Sequence, residues 1–287
     1  MKVEFIKSKS KNIEKIIKFI EKNHQVKKKY NWKNLFTQFR FNKNKSFGVA
    51  LLNNHIIKGF LGTVHSTIKI RNKNYDLCNT STWVVDKNVR GRSLLLLHKI
   101  LNDKKKVFIA HTVIDDFVAI HKKFGFEIFE DEVTYSIISP FSLIKKFFNL
   151  REKKIQIVNL KNYKEIKDKI YKKIVLDHLN FQCQIYFINN IILIGKIKSK
   201  FNLKYFEVLD CSNKNFFSEQ YRTITEILCR EKNFIFIRFD RRFINNQKSL
   251  TFTIKTQNKK MIKFPNNIKL KKKYISNLYS EIFLLDI

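Results

Sequence analysis

The stretch that reads most directly as chemistry is Trp83-Val84-Val85-Asp86-Lys87-Asn88-Val89-Arg90-Gly91-Arg92-Ser93-Leu94-Leu95. An apolar run ends, a basic loop with one glycine follows, and a run of leucines begins. Unpaired N–H groups at the start of a helix bind phosphate, and the helix dipole adds to the attraction. Gly91 lets the backbone approach a ligand closely. Arg90 and Arg92 add charge at the same point, where two of the chain's few arginines cluster. The competing reading is a solvated turn with arginines on its surface, and a strand–Arg-Gly–helix pattern alone does not decide between the two. Other chemistries find little support. The histidines sit singly, with no H-E-x-x-H or H-x-E spacing, and Cys78, Cys183, Cys211 and Cys229 form no C-x-x-C pair. No metal is expected.

For that loop to work, a strand must end near Val85 and a helix must start near Ser93. The surrounding periodicity supplies both. Ile13, Ile16, Ile17 and Ile20 recur at helical spacing, with Ser10 as N-cap. Trp32, Leu35, Phe36 and Phe39 repeat that spacing in a second helix. Residues 47–52 read as a strand, Asn53-Asn54 as a tight turn and 55–64 as the returning strand. A third strand runs from Tyr75 to Val85, past a polar tip at Arg71–Asn74. The loop Asp86–Arg92 then leads into a helix whose leucines (94 to 97, and 101) cover more than one face, which implies deep burial. Val107–Val113 is a short apolar strand. A helix over 115–124 opens on Asp115 and Asp116, which suit the dipole, and closes on Gly125 as a left-handed cap. Phe126–Ile138 supplies one or two strands, and Pro140 through Arg151 reads as a boundary.

The second half repeats the order. A helix carries Tyr163, Ile166, Ile170 and Ile174, a hairpin turns at Asn189-Asn190, and a strand covers 203–209. A helix around 218–230 sets Tyr221, Ile224 and Leu228 on one face, and strands follow at Phe234–Phe239 and Leu250–Thr256. Helix, hairpin, strand, helix, strand therefore occurs twice. Internal duplication accounts for this, with chance similarity between two small mixed domains as the competitor. We expect domains at 1–145 and 146–287.

The chain's 287 residues fit two domains, or one large one, at ~150 residues each. A hydrophobic content of 44% with 28 phenylalanines excludes a disordered chain, and six glycines with two prolines exclude collagen-like and linker-like classes. The net charge of +34 invites a nucleic-acid partner. Only ten of the 58 basic residues are arginine, and the chain is crowded with Lys, Asn, Ile and Phe, the residues of A+T-rich codons. Recognition of phosphate or bases favours arginine. Lysines on solvated faces therefore explain the charge, and a nucleic-acid partner is admitted but not favoured. The N-terminus has no apolar core, and no apolar run approaches the ~20 residues a bilayer span needs. We expect a soluble, reduced, cytoplasmic protein without a membrane span; the sequence does not fix its oligomeric state.

Taken as ordered blocks, residues 3–138 resemble the GCN5-related N-acetyltransferase superfamily. That family's fourth strand, pyrophosphate loop and third helix read roughly V-x-P-x-x-R-G-x-G-x-G/A-x-x-L, against Val85-Asp86-Lys87-Asn88-Val89-Arg90-Gly91-Arg92-Ser93-Leu94-Leu95 here. Its next block is a strand, then a helix ending in an aromatic residue or His, three residues, and Gly-Phe. Here that block is Val107–Val113 and His121-Lys122-Lys123-Phe124-Gly125-Phe126. The hairpin Phe47-Gly48-Val49-Ala50 to Lys58-Gly59-Phe60-Leu61-Gly62 is similar to the family's second and third strands. Ser93, Leu94 and Leu95 depart from the family's small residues. Ser93 is able to cap the helix, whereas Leu95 crowds the pyrophosphate.

The resemblance implies an α/β mixed sheet and acetyl-CoA, or another acyl-CoA, as co-substrate. Trp83, Val84, Val85, Arg90, Gly91, Arg92, Ser93, Leu94 and Leu95 would bind it, with the pantetheine arm in a gap between the strand of Trp83 and the strand Val107–Val113. A backbone N–H near Val84 or Val85 would polarise the thioester carbonyl. His121 stands where the family often has a tyrosine that protonates the departing thiolate. An unperturbed imidazole titrates near ~6.5, which suits that role. His121 shares a face with Phe117, Ile120 and Phe124 and so also reads as a core residue. His111 is a candidate general base, although a core role is favoured for it. His65, Asp86 and Asp115 are weaker candidates.

The second half has no such loop, so it reads as a degenerate copy that shapes the acceptor pocket or an interface. Arg238, Asp240, Arg241 and Arg242 read as a surface ion-pair cluster rather than an anion site. The implied function is acyl transfer to an amine or hydroxyl of a small molecule, such as a nucleotide sugar or surface-polysaccharide precursor. The alternatives are aminoacyl transfer from tRNA and a non-catalytic basic module for nucleic acid.

Overall fold

A computed structural model describes residues 1–7, 13–24, 30, 32, 46–70, 73–138, 156–158, 163–179, 183–188, 190–200, 202–246, 250–265, 268 and 275–280. The expected Ser10 cap, the helix after Trp32 and the boundary at Pro140–Arg151 lie outside the described residues. The chain packs as two compact units. Met1–Phe129, Asn258–Leu270 and Asn277–Ile287 form the first, and Glu130–Gln257 with Lys271–Ser276 form the second. The chain thus leaves unit 1 at Phe129 and returns to it at Asn258, where the sequence suggested a single crossing near residue 145.

Unit 1 contains β1 (Lys2–Lys7), α1 (Ile13–Asn23), β2 (Ser46–Asn53), β3 (Ile56–Ile70), β4 (Lys73–Val85), a 3-10 turn (Lys87–Arg92), α2 (Leu94–Leu101), β5 (Val107–Val113) and α3 (Asp115–Lys123). β1 to β4 form an antiparallel run, and β5 joins β4 in parallel. The β2–β3 turn falls on Asn54 and His55, both at positive φ, rather than on Asn53-Asn54. Such a two-residue turn needs left-handed angles at both positions, which Asn and His tolerate. α2 covers one face of the sheet. Leu96, Leu97, Ile100 and Leu101 pack against Val49, Leu51, Leu61, Cys78 and Phe108. Its burial is one-sided, with Leu94 and Leu95 left 39% and 49% exposed, which corrects the expectation of a deeply buried helix. α3 ends as expected, on Gly125 at φ +83.

β6 (Glu127–Ile137) is one strand, of which Glu127–Phe129 belong to unit 1 and the rest to unit 2. Unit 2 then holds β7 (Gln156–Ile157), α4 (Lys169–His178), β8 (Gln184–Ile188), β9 (Ile191–Lys200), β10 (Leu203–Cys211), α5 (Lys214–Lys232), β11 (Phe236–Asp240) and the start of β12 (Thr251–Lys263). β7 to β10 are antiparallel, β11 is parallel to β10, and β6 is antiparallel to β11. Phe217, Tyr221, Ile224 and Leu228 of α5 pack on Phe206, Val208, Ile237 and Phe239. α4 is shorter than the predicted helix and buries a different face. Tyr163 lies in a separate 3-10 turn, Asp168 caps α4, and Tyr171, Val175 and His178 are buried while Ile170 is exposed. The far end of β12 pairs with β5 from Lys259–Val113 to Lys263–Phe108, so the C-terminal stretch contributes a strand to unit 1.

Candidate active site

In unit 1, β4 and β5 part company. Their parallel ladder runs from Leu77–Val107 to Thr80–Ala110 and goes no further. Beyond it, β4 carries an extra residue. Leu61 of β3 opposes Trp83 and Gly62 opposes Ser81, which leaves Thr82 as a bulge at φ 47. A β-branched residue rarely adopts that angle, and such strain collects where a strand is being re-aimed. The parting opens a cavity of about 650 Å³. Its walls are Thr80 to Val85 on one side and Ala110 with Thr112 to Ile114 on the other. Leu61 of β3, Asp116, Phe117 and His121 of α3, Asn23 at the end of α1, His24 after it, and Arg90 and Ser93 complete the lining.

Asp86 fixes the turn at one end of this cavity. Its backbone N–H donates to Lys58 O at 2.8 Å, its Oδ1 accepts from the Asn88 N–H at 3.1 Å, and Lys58 Nζ pairs with its Oδ2 at 3.1 Å. These contacts, the Asn88 bond foremost, hold its carboxyl below the usual carboxylate range. Ser93 N–H donates back to Arg90 O at 3.0 Å, which closes the turn. Gly91 sits on open space: a Cβ there would meet nothing within 4 Å. Neither packing nor a positive φ demands glycine, so the open approach is what distinguishes the position. One expectation needs correction: the Ser93 hydroxyl makes no capping bond to α2. Leu94 and Leu95 are exposed and are not part of the cavity lining. Gly91 and Arg92 lie in the turn between Arg90 and Ser93 without lining the cavity themselves.

His121 is 4% exposed, edge-on to Trp83 at 6.0 Å and to Phe126 at 5.1 Å. Its Nδ1 donates to Phe117 O at 2.9 Å. Burial lowers its pKa below the ordinary imidazole value, against a smaller opposing effect of the Phe117 bond. At neutral pH the ring is therefore neutral with its proton on Nδ1, and Nε2 is an acceptor. In that state it takes a proton before it can give one, which changes the role expected from sequence. His111 stands outside the lining. It alternates with Ala110 and Thr112 along β5, so it points to the opposite face, where it packs edge-on against Phe129 at 5.9 Å. Its general-base role is thereby corrected.

Sequence reading missed His24, which is half-buried, packs on Trp32 at 4.8 Å and has its pKa lowered by burial. The signal was present, because His24 continues the helical series of Ile13 to Ile20 at the next i+4 position. Thr82 had no such signal. Burial pushes the thiols of half-buried Cys183 and of buried Cys211 and Cys229 up to about 12, which keeps them protonated at neutral pH.

In unit 2, β10 and β11 pair only at Phe206–Ile237 and Glu207–Arg238. Beyond that ladder the strand ends are held by buried charge. Lys214 pairs with Asp210, and Ser276 Oγ donates to Asp210 Oδ2 at 2.8 Å. Arg242 Nε donates to Asp240 Oδ2 at 3.0 Å, its Nη1 donates to Ile275 O, and its backbone N–H donates to Glu130 Oε2 at 2.8 Å. The Arg242 and Asp240 side chains are 5% and 6% exposed, so these two members of the expected surface cluster are buried. Burial, then Arg242, pushes Lys214 well below the usual lysine range, and burial with Asp240 raises Glu130.

Among the described residues no helix is long and apolar enough to cross a membrane, and no group of His, Cys, Asp and Glu side chains could hold a metal ion. No protein-family model and no curated protein sequence matches the chain. Solved structures do match. A GCN5-related N-acetyltransferase from Anabaena variabilis ATCC 29413 superposes with a TM-score of 0.63 at 11% identity, covering 92% of this chain and 73% of that one. One from Kribbella flavida gives a TM-score of 0.57 at 7% identity, covering 91% and 70%. At these identities the likeness is one of fold, and the chain has the fold of the GCN5-related N-acetyltransferases.

Proposed function

We propose that unit 1 transfers an acyl group, in the first instance acetyl, from a coenzyme A thioester to an amine or hydroxyl of a small molecule. One observation carries the reading: the β4–β5 ladder ends at Thr80–Ala110, and the cavity beyond it reaches the Arg90–Ser93 turn. A pantetheine arm is narrow and extended, and it fits between two strands that have parted. Open space at Gly91, beside Arg90 and the start of α2, suits a pyrophosphate held by backbone N–H groups and charge. The edge of β4 at Trp83–Val85, without a β5 partner, is where a backbone N–H would polarise the thioester carbonyl.

The acceptor nitrogen or oxygen forms a bond to the carbonyl carbon as the carbon–sulfur bond breaks. Neutral His121 takes the acceptor's proton on Nε2 and returns it to the thiolate, so no net proton is gained or lost by the protein. His24, neutral and on the same lining, is the other group able to take that proton. A nucleotide-linked sugar or polysaccharide precursor is the acceptor class we favour, by analogy of fold only. We take unit 2 as a second, degenerate copy of the fold, because hairpin, strand, helix and parallel strand recur in it in the same order. Release of free thiol from acetyl-CoA, measured across amine and hydroxyl acceptors, tests the activity. His121→Phe is expected to lower turnover about 100-fold while acetyl-CoA still binds. Unchanged turnover would remove His121 from the mechanism.

A further inference from the structure

The outer side of α2 in unit 1 carries apolar side chains where a solvated helix would carry polar ones. Its inner side packs Leu96, Leu97, Ile100 and Leu101 on the sheet, yet Leu94 and Leu95 stand exposed on its first turn. Lys99 lies one turn beyond Leu95 on the same side, and its Nζ sits over the ring of Phe5 at 5.6 Å. Phe5, on β1, is itself exposed. Phe5 and Lys99 also border a second cavity, of about 410 Å³, whose walls include Ile100, Cys78 and Phe108. Two leucines, a ring and an open cavity thus follow one another along a helix about 12 Å long. Exposed apolar groups with a polar rim mark interaction surfaces.

Charge lies beside these groups. Lys87, Arg90 and Arg92 are exposed in the turn that leads into α2, and no ion pair holds them among the described residues. The carboxylates nearby are taken: Asp86 by Lys58, Asp103 by Lys106 and Glu4 by Lys2. A partner for this side must therefore offer apolar side chains and negative charge together. A nucleotide held at the turn would answer Arg90 and Arg92, but it would leave Lys99, Phe5 and the second cavity uncovered at the far end of α2. An acidic protein surface covers both ends. The turn is also one end of the β4–β5 cavity, the end at which Arg90 and Ser93 complete its lining. A protein docked on α2 thus stands where an acyl-bearing arm would enter.

We propose that the outer side of α2 docks an acidic carrier protein that presents the acyl group on a phosphopantetheine arm. Carrier carboxylates meet Lys87, Arg92 and Lys99, and an apolar carrier side chain fills the second cavity. This docking rests on the acyl-transfer reading of unit 1. The arm is the one coenzyme A carries, so the bonds are unchanged: the acceptor bonds to the carbonyl carbon, the carbon–sulfur bond breaks, and the thiol stays on the carrier with the acceptor's proton.

Titration calorimetry with three ligands tests it: an acyl carrier protein with an acetylated phosphopantetheine arm, the same carrier without the arm, and acetyl-CoA. The armed carrier is expected to bind about 100-fold tighter than the armless one, because arm and surface are linked contacts. Lys99→Glu reverses a charge outside the β4–β5 cavity; it should weaken the armed carrier about tenfold and leave acetyl-CoA within about twofold of wild type. Phe5→Ser changes no charge and should also weaken the armed carrier, by about threefold to tenfold. Unchanged melting temperatures of both variants separate these effects from unfolding. Acetyl-CoA binding without carrier binding, equal affinity for the two carrier forms, or an armed carrier indifferent to Lys99→Glu would each overturn the docking and leave acyl transfer standing. So would equal weakening of the armed carrier and acetyl-CoA by Lys99→Glu. Binding of neither acetylated ligand would remove the acyl-transfer reading, and the docking with it.

Discussion

Units 1 and 2 run through the same order of elements and treat the end of their parallel ladder differently. In each, an antiparallel hairpin leads to a strand, a helix and a second strand parallel to the first, and in each the parallel ladder is short. Past Thr80–Ala110 in unit 1 the strand ends are lined by Ser81 to Val85 and Thr112 to Ile114, with Phe117 and His121 above them and Arg90 at one end, and a cavity of about 650 Å³ remains. Past Glu207–Arg238 in unit 2, the strand ends are tied by Lys214, Asp210, Arg242 and Asp240, with Ile275 and Ser276 bound in among them. The fold supplies a place where two strands part. A few side chains then decide whether that place is a site or part of the core.

The comparison is broken most severely at Arg242. Arg242→Ala leaves Asp240 and Glu130 buried without their cation, and we expect a loss of about 3–5 kcal/mol in urea denaturation. A loss below about 1 kcal/mol would mean the cluster is solvated after all. The glycines sharpen the contrast. A Cβ on Gly195 would lie 2.2 Å from Glu207 O, so Gly195→Ala should destabilise by about 1–3 kcal/mol. Gly91→Ala meets nothing and should stay within about 0.5 kcal/mol of the wild type in the same measurement.

The titrating groups give opposite pH slopes. Glu130 is raised in the fold, so the folded chain holds a proton that the unfolded chain has lost, and stability falls as pH rises from about 4.3 to the folded value. His121 is lowered, so the unfolded chain holds a proton that the fold refuses. Stability is full above about 6.5 and falls as pH drops from there to the folded value. Glu130→Gln should flatten the first slope and His121→Phe the second, read from melting temperatures across pH.

Much of unit 1 was legible because its signals are local. Helical spacing locates α1, the runs 47–52 and 55–64 on either side of an Asn-Asn turn locate the hairpin strands, and Gly125 marks the end of α3. The β2–β3 turn was misplaced by one residue because His55 tolerates a left-handed angle as Asn does. α4 departs from its sequence pattern for a different reason. Spacing puts Tyr163, Ile166, Ile170 and Ile174 on one apolar face, while Asp168, which accepts from the Ile170 and Tyr171 N–H groups, is the cap that sets the helix's true start. The least legible features depend on distant partners. Arg242 reads as a surface residue until Glu130, 112 positions away, is beside it. The end of β12, Lys259 to Lys263, has no apolar alternation and becomes a strand through its pairing with β5. The Thr82 bulge, which parts β4 from β5, follows from the register with β3 and from no residue pattern.

Titration calorimetry with acetyl-CoA at moderate salt tests the central contrast most directly. The account predicts one site per chain, little weakened by added salt and abolished by Gly91→Trp without a change in melting temperature. Two sites per chain, no binding, or binding indifferent to Gly91→Trp would contradict it.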